Sequence, residues 1–320
     1  MPDVGRVVVL AGGLSHERDI SLRSGSRVAD ALRDRGVDVQ VRDADAAFVA
    51  DALRDPPDVV LPVLHGAQGE DGALRAVLEL VGLPFVGTAA SHCRSAFDKP
   101  TANESVARAG LAVPRSVVLP HAAFRDLGAA AVLDGLLARV GLPLVVKPAR
   151  GGSALGCSVV HEAAALPSAM VGCFAYGEDA LIQRHVAGTE VAVSVLEHDD
   201  GPTALPAVEI VPDGPFYDYQ ARYTAGSTEF FVPARLPEAV QHAVAAAAVT
   251  AHRTLGLRDL SRTDLIVDEA GTPWFLEVNV SPGMTETSLL PLAVEGSGRD
   301  VSDVLLDLLL RARLRAPERP

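Results

Sequence analysis

The sequence predicts an α/β protein built in three lobes, and three observations predict it. Apolar runs alternate with amphipathic helical stretches through residues 1–97, a strand, glycine loop and strand follow near the middle, and two short strands bearing carboxylates come near the end. Alternating strand and helix favours a parallel sheet flanked by helices. At 320 residues the chain is too long for one small core, and its 48% hydrophobic content is ample for several.

Residues 6–13, RVVVLAGG, read as a buried strand ending in glycines, and SLRSGSRVADALRDRG as an amphipathic helix closed by Gly36. VDVQVRD and DVVLPVLHG supply two more strands, EDGALRAVLELVG a helix and LPFVGT a short strand. From Lys99 the pattern changes: a helix through TANESVARAG, the strand SVVLP, the helix AAAVLDGLLARVG, then LPLVVKPARGGSALGCSVV as strand, glycine loop and strand. ALIQRHVAGTE reads as strand and hinge. After Gly188 come the strand EVAVSVLE, a loop around FYDYQARYTAGSTEF, an alanine-rich helix, the strands DLIVD and WFLEVN, and a terminal helix VSDVLLDLLLRARLR.

Composition excludes several functions. A net charge of −13 argues against a nucleic-acid partner, which needs a basic face. No apolar run approaches the roughly 18 residues that span a bilayer, and the start turns into Gly-Gly too soon for a signal peptide, so a cytoplasmic protein without a membrane partner is expected. Cys93, Cys157 and Cys173 are an odd count with no close pair, which points to buried free thiols.

Chemistry gathers at two places. In WFLEVN, Glu277 and Asn279 are two apart and so project from one face of a strand, with Asp264 in the neighbouring strand. Two carboxylates and an amide oxygen are hard ligands suited to magnesium, which shares its shell with substrate phosphates. The second place is GGSALG, residues 151–156, just beyond Lys147. Glycines there let backbone amides approach a phosphate, while the Gly-Lys-Ser or Gly-Lys-Thr of a nucleoside-triphosphatase loop is missing from the segment.

The order R-x-D at residues 262–264 and E-x-N-x-x-P-G-M-T at 277–285 resembles the metal and phosphate segment of the ATP-grasp enzymes, specifically the D-alanine:D-alanine ligases. The resemblance extends over nearly the whole chain. It implies a three-domain ATP-grasp fold: a parallel α/β domain at residues 1–97, a central lobe at 98–188 and a carboxyl-terminal lobe at 189–320, the two α+β lobes sandwiching ATP. It further implies that Lys99 and Lys147 contact the nucleotide phosphates beside Gly152 and Ser153. Gln183, standing where the family often has glutamate, reads adenine with Arg184, His185 and Val186, and Glu190 takes the ribose. Glu17 anchors the ammonium of the first D-alanine, with Ser21, His65 and Glu70 around the same subsite. Tyr223 joins Glu17 and Ser153 in a hydrogen-bonded triad and favours an amine as second substrate; Arg222 replaces the lysine common beside it. Arg262 and the Gly283 N–H stabilise the developing charge, Ser288 holds the second carboxylate and Leu289 lies beside it. Asp264, Glu277 and Asn279 hold two magnesium ions, for which manganese can substitute.

The expected reaction is ATP-dependent formation of D-alanyl-D-alanine through an acyl phosphate, for peptidoglycan precursor synthesis, by a homodimer. Departures at Ala67, Gln68, Arg75, Ala76, Gly151 and Ala154 keep open an ATP-grasp ligase of different acceptor, an amino or hydroxy acid in specialised metabolism. A non-catalytic nucleotide-binding module is a third reading, which the presence of Arg262, Asp264, Glu277 and Asn279 disfavours.

Overall fold

Five consecutive buried residues, VVVLA, form the strand β1 (Val7–Ala11). A β-branched run buried on both faces suits the centre of a parallel sheet, and β1 lies between β2 (Val39–Asp43) and β3 (Val59–Pro62), parallel to both. The structure is a computed structural model that describes residues 4–214, 216–224 and 226–315, with the Tyr223 side chain outside that set. Val7 and Val9 point into one core, Val8 and Leu10 into another. The first is covered by Val28, Ala29 and Leu32 of α1 (Arg18–Asp34). The second is closed by Phe48 and Ala52 of α2 (Phe48–Arg54) and by Leu78, which follows α3 (Ala67–Glu70) in α4 (Ala73–Leu80). The strand expected after α4 is reduced to one bridge, Val60 to Phe85. Pro84 has no N–H to give, and the chain turns at Gly87, where φ is 114°.

The second sheet is antiparallel and four-stranded: β4 (Ser116–Pro120), β5 (Leu144–Pro148), β6 (Ser158–Val160) and β7 (Asp179–Arg184), in the order β4-β7-β5-β6. Leu144, Val146, Ala180 and Ile182 face a core with Leu136, Val140 and Met170. Strand pleating therefore turns Val145, Lys147 and Gln183 to the other side.

The third sheet holds β8 (Thr189–His198), β9 (Gly201–Ala204), β10 (Val208–Pro212), β11 (Thr228–Phe231), β12 (Leu260–Val267) and β13 (Pro273–Asn279), in the order β11-β10-β8-β12-β13 with β9 on β8. Val191, Val193, Val195, Leu265 and Phe275 face the alanine-rich helix Glu238–Thr254 through Val244, Ala247, Ala248 and Ala251. Small side chains let that helix approach closely, which is why it is alanine-rich. The expected loop around FYDYQARYTAGSTEF contains the short helix Tyr219–Tyr223, capped by Asp218, which accepts the Ala221 N–H at 2.9 Å.

The lobes are not equally independent. Val7, Val9 and Val28 share one continuous core with Ala192, Leu196 and Leu260, and with Leu305 and Leu309 of the terminal helix Val301–Leu314. The first and third sheets are thus packed into one body. α5 (Ala90–Phe97) and α6 (Lys99–Arg108) lie on β13, with Cys93, Ala96, Ala102 and Val106 in the third sheet's core. Asp98 caps α6 by accepting the Thr101 N–H at 3.0 Å, fixing Lys99 in the first turn. All three cysteines are free, Cys93 and Cys173 buried and Cys157 half-buried. Among the described residues no helix is long and apolar enough to cross a membrane.

Phe275, in the same strand as Glu277, is wholly buried. Phe275→Ala should cost about 3–5 kcal/mol of stability, read as a lowered denaturant midpoint; a loss under about 1 kcal/mol would contradict this packing.

Candidate active site

The register of β12 against β13 places Arg262 opposite Asn279 and Asp264 opposite Glu277. Directly paired residues share a face of a sheet, so these four side chains stand together, opposite the face that carries Leu265 and Phe275 into the core. The register then slips by one residue, pairing Leu265 with Phe275 and leaving Leu276 as a bulge. A bulged residue is unpaired in the ladder, and the Leu276 carbonyl accepts instead from Lys147 Nζ at 3.4 Å. The bulge ties the second sheet to the third.

Two cavities meet over this face. The larger, about 1830 Å³ of open space between the second and third sheets, is lined by Lys147, Gln183, Arg184, His185, Val186, Glu190 and Asp264, with Val145, Ile210, Ile266 and Leu276 as apolar walls. The smaller, about 860 Å³ against the first lobe, is lined by Glu17, His65, Glu70, Ser153, Arg262, Asn279, Gly283, Ser288 and Leu289. Lys99, Gly151, Gly152, Tyr217, Arg222 and Glu277 line both. The junction is therefore rich in charge of both signs.

Asp264 accepts two parallel bonds from Arg262, each 2.7 Å. Glu277 faces Lys99 at 3.4 Å, and Lys99 Nζ donates to the Gly151 carbonyl at 2.6 Å. Burial would raise the Glu277 carboxyl, but Lys99, Lys147, Arg222 and Arg262 outweigh it and hold it down at about 2. Burial lowers the Lys147 ammonium while Glu277 opposes that shift. Asn279 Oδ1 accepts the Ser281 N–H at 2.7 Å. Among the described residues no three acidic, histidine or cysteine side chains converge as a ready metal shell. The donor set nevertheless fits magnesium: two carboxylates and an amide oxygen on one face of a strand pair, with open space beside them, are hard oxygens that match an ion that keeps waters and phosphate in its shell.

In the smaller cavity, Glu17 sits where α1 begins and accepts a hydrogen bond from the Ser153 hydroxyl. Ser153 and Ala154 take left-handed backbone angles, φ 51° and 55°, and this tight tip between β5 and β6 aims the hydroxyl at Glu17. Burial raises the Glu17 carboxyl, against the pull of Ser153 and Arg222. Gly66 is required beside it: at φ 68°, a β-carbon would lie 2.1 Å from Glu17 Oε2. Glu70 accepts the Gly66 N–H at 3.0 Å; burial, with the charge of Glu17, pushes its carboxyl up to about 8. His65 donates from Nδ1 to the Ser281 carbonyl at 3.1 Å, with Ser24 Oγ 3.3 Å from Nε2. Burial pushes it down to about 4, so it is neutral.

Ser288 stands at the start of the helix Leu289–Gly296, its Oγ accepting the Thr285 N–H at 2.9 Å. A β-carbon on Gly283 would come within 2.7 Å of that oxygen. A helix start with a serine beside it favours a carboxylate. In the larger cavity, burial pushes the Glu190 carboxyl up to about 7.

Every candidate from the sequence lines one of these cavities except two. Ser21 is fully buried inside the first lobe; its hydroxyl donates to the Val63 carbonyl at 2.5 Å and accepts the Gly12 N–H at 2.9 Å. It supports the turn after β1 instead of facing the cavity. The Tyr223 side chain lies outside the described residues. Sequence reasoning did not include Arg222 and Tyr217 among its candidates: the guanidinium lies 4.3 Å over the Tyr217 ring, and Arg222 Nε donates to the Tyr217 carbonyl at 3.3 Å. The aromatic cluster of FYDYQARY was the available signal.

A carboxyl with a folded pKa above its unfolded value favours the fold below about pH 4.5 and loses that contribution as pH rises through about 8. Glu70→Gln removes the ionisation, so the thermal midpoint of that variant relative to wild type should climb across this window in the ligand-free protein. A difference that stays flat from pH 5 to 8.5 would contradict the burial of an ionisable group there.

Comparison with known proteins places the chain. The D-ala D-ala ligase C-terminus family matches residues 106–310 and the D-ala D-ala ligase N-terminus family matches residues 40–88. The D-alanine–D-alanine ligase of Anaeromyxobacter sp. (strain K) is 43% identical, across 97% of this chain and 98% of its own. Among solved structures, the Bacillus anthracis D-alanine–D-alanine ligase complexed with ATP superposes with a TM-score of 0.80 at 27% identity, covering 97% and 98% of the two chains. The VanG D-Ala:D-Ser ligase from Enterococcus faecalis gives 0.82 at 28%, covering 97% and 99%. A strand register that gathers Arg262, Asp264, Glu277 and Asn279 and a likeness running the whole length lead to one lineage: this chain belongs to the D-alanine–D-alanine ligase family.

Proposed function

We propose that the protein joins two D-alanine molecules into D-alanyl-D-alanine at the expense of ATP, a step of peptidoglycan precursor synthesis. One observation carries the reading: a lysine-bearing cleft and a glutamate-bearing cavity open onto the same junction, at Lys99, Gly151, Gly152, Arg222 and Glu277. A triphosphate in the first can there meet an amino acid in the second. Family membership and the ATP complex of a solved relative support it.

In this reading the apolar walls of the larger cavity take the base, Glu190 the ribose, and Lys147 and Lys99 the phosphates. Glu17 and Glu70 face the ammonium of the first D-alanine and so orient its carboxylate toward the junction. That carboxylate attacks the terminal phosphorus, ADP leaves, and an acyl phosphate forms. The amine of the second D-alanine, its own carboxylate held by Ser288 and the helix start at Leu289, attacks the acyl carbon. Phosphate leaves and the amine releases a proton. Arg262 and the Gly283 N–H lie where negative charge develops, and such contacts are worth roughly 3 kcal/mol each in a preorganised site. Asp264, Glu277 and Asn279 would hold magnesium, two ions with manganese as a substitute, which supplies charge neutralisation at the phosphates. No side chain need form a covalent intermediate; positioning and electrostatics suffice. A homodimer in the cytoplasm belongs to the same proposal and rests on family membership alone.

The test is phosphate release from ATP with and without D-alanine, with the product weighed by mass spectrometry and D-serine and D-lactate run beside it. D-alanine-dependent turnover yielding the D-alanine dipeptide is expected; turnover independent of D-alanine, or dipeptide never formed, would remove the assignment. Glu277→Gln should lower kcat by roughly 100-fold or more while leaving the fold intact by circular dichroism, and undiminished turnover would contradict the place given to that carboxylate.

A further inference from the structure

Beyond Asn279 the chain leaves β13, and the first lobe takes hold of it over residues 280–285. The Ser281 carbonyl accepts from His65, and the Ser281 hydroxyl donates to the Leu64 carbonyl at 2.7 Å. Met284 is held at both ends of its backbone: its N–H donates to Ser24 Oγ at 3.3 Å, and its carbonyl accepts from Arg27 Nη1 at 3.1 Å. The same Nη1 donates to the Thr285 carbonyl at 3.2 Å, and the Met284 side chain sits in the core shared by the first and third sheets. Gly283, which lines the smaller cavity, stands between these fixed points. Among the described residues no acceptor takes its N–H.

Ser24 and Arg27, three residues apart, share one face of α1. Gly25 seats that helix on the first sheet, since a β-carbon there would lie 2.6 Å from that of Ala11. A helix rises roughly 1.5 Å per residue, so Arg27 stands about 15 Å along a rigid axis from Glu17, which caps its start. We propose that Arg27, which lines neither cavity, is a positioning residue for the ligation step: through α1 it fixes the Gly283 N–H at a set distance from Glu17. This rests on the ligase reading, in which Glu17 anchors the first ammonium and the Gly283 N–H meets the charge that develops on the acyl oxygen. A donor displaced by about 1 Å loses most of its hold on that charge. The acyl phosphate then waits for the second amine, and water takes it instead, giving back D-alanine and phosphate in place of dipeptide.

The deciding comparison sets Arg27→Met, which keeps an apolar stem and removes the donors, against Glu295→Gln, which breaks only the half-exposed ion pair that Arg27 makes at 3.5 Å. In Arg27→Met kcat should fall by about 10-fold or more, with the KM for ATP within about 2-fold of the wild type. Phosphate and dipeptide, formed in equal amounts by the wild type, should part in Arg27→Met to a ratio of about 2 or more as the exposed intermediate is hydrolysed. Glu295→Gln should match the wild type in both. Hydrogen exchange in the ligand-free protein, which needs no turnover, should quicken in Arg27→Met over residues 280–285 and stay as in the wild type at β1, β5 and β12. A phosphate-to-dipeptide ratio that stays equal in Arg27→Met overturns the inference whether or not kcat falls. So does the same loss in Glu295→Gln, or exchange that quickens alike in all three lobes. A wild type without D-alanine-dependent turnover would instead remove the ligase reading, while the exchange comparison still decides whether Arg27 holds the segment.

Discussion

Two carboxylates, the buried Asp264 and the half-buried Glu277, face one another across adjacent strands, and the rest of the site is arranged to make that tolerable. Left alone, the pair would repel, and each charge would lose hydration as it was buried. Arg262 grips one by two bonds and Lys99 stands near the other, with Lys147 and Arg222 adding to the field. The arrangement leaves a concentrated, balanced set of charges beside open space. A polyphosphate bringing its own cation enters a place where both signs are already oriented.

What holds that pair in place is the shared core of the first and third sheets. The second sheet has a core of its own and is joined to the rest by polar contacts: Lys147 to the bulged Leu276 carbonyl, Lys99 to Gly151, Arg150 to Asp98 and Ser153 to Glu17. Each contact spans the cleft walls. Behind the smaller cavity, the buried Arg75 donates to the carbonyls of Gly69 and Val280, bracing the turn that presents Glu70 against the strand exit that leads to Gly283. Asp259, itself in a left-handed conformation, accepts the Gly87 N–H at 2.6 Å and the Arg315 guanidinium, closing the opposite end of the same joint.

Much of this was legible in the amino-acid order because it depends on period. The two-residue spacing of Glu277 and Asn279 fixes a common face, the VVVLA run fixes a buried parallel strand, and the glycine-flanked loop after Lys147 fixes a turn. What could not be read depends on non-local register. The bulge at Leu276 exists only because β12 and β13 pair as they do, and nothing in WFLEVN marks it. Ser21 looked free to face the cavity because helical spacing gives a face but not what covers it; the β1 turn and the Val63 carbonyl take its hydroxyl. The resemblance sets Arg222 beside Tyr223, but only folding sets its guanidinium over the Tyr217 ring at the meeting of two cavities.

The most direct measurement of the central claim is a crystal structure with a non-hydrolysable ATP analogue, magnesium and D-alanine. The account predicts the terminal phosphate at the junction, in contact range of Lys99 and Gly152, with Glu277 and Asp264 on its cation and the amino acid's ammonium against Glu17 or Glu70. Density placing the phosphates where none of Lys99, Gly152 or Glu277 is engaged, or the amino acid outside the cavity lined by Glu17, would contradict it.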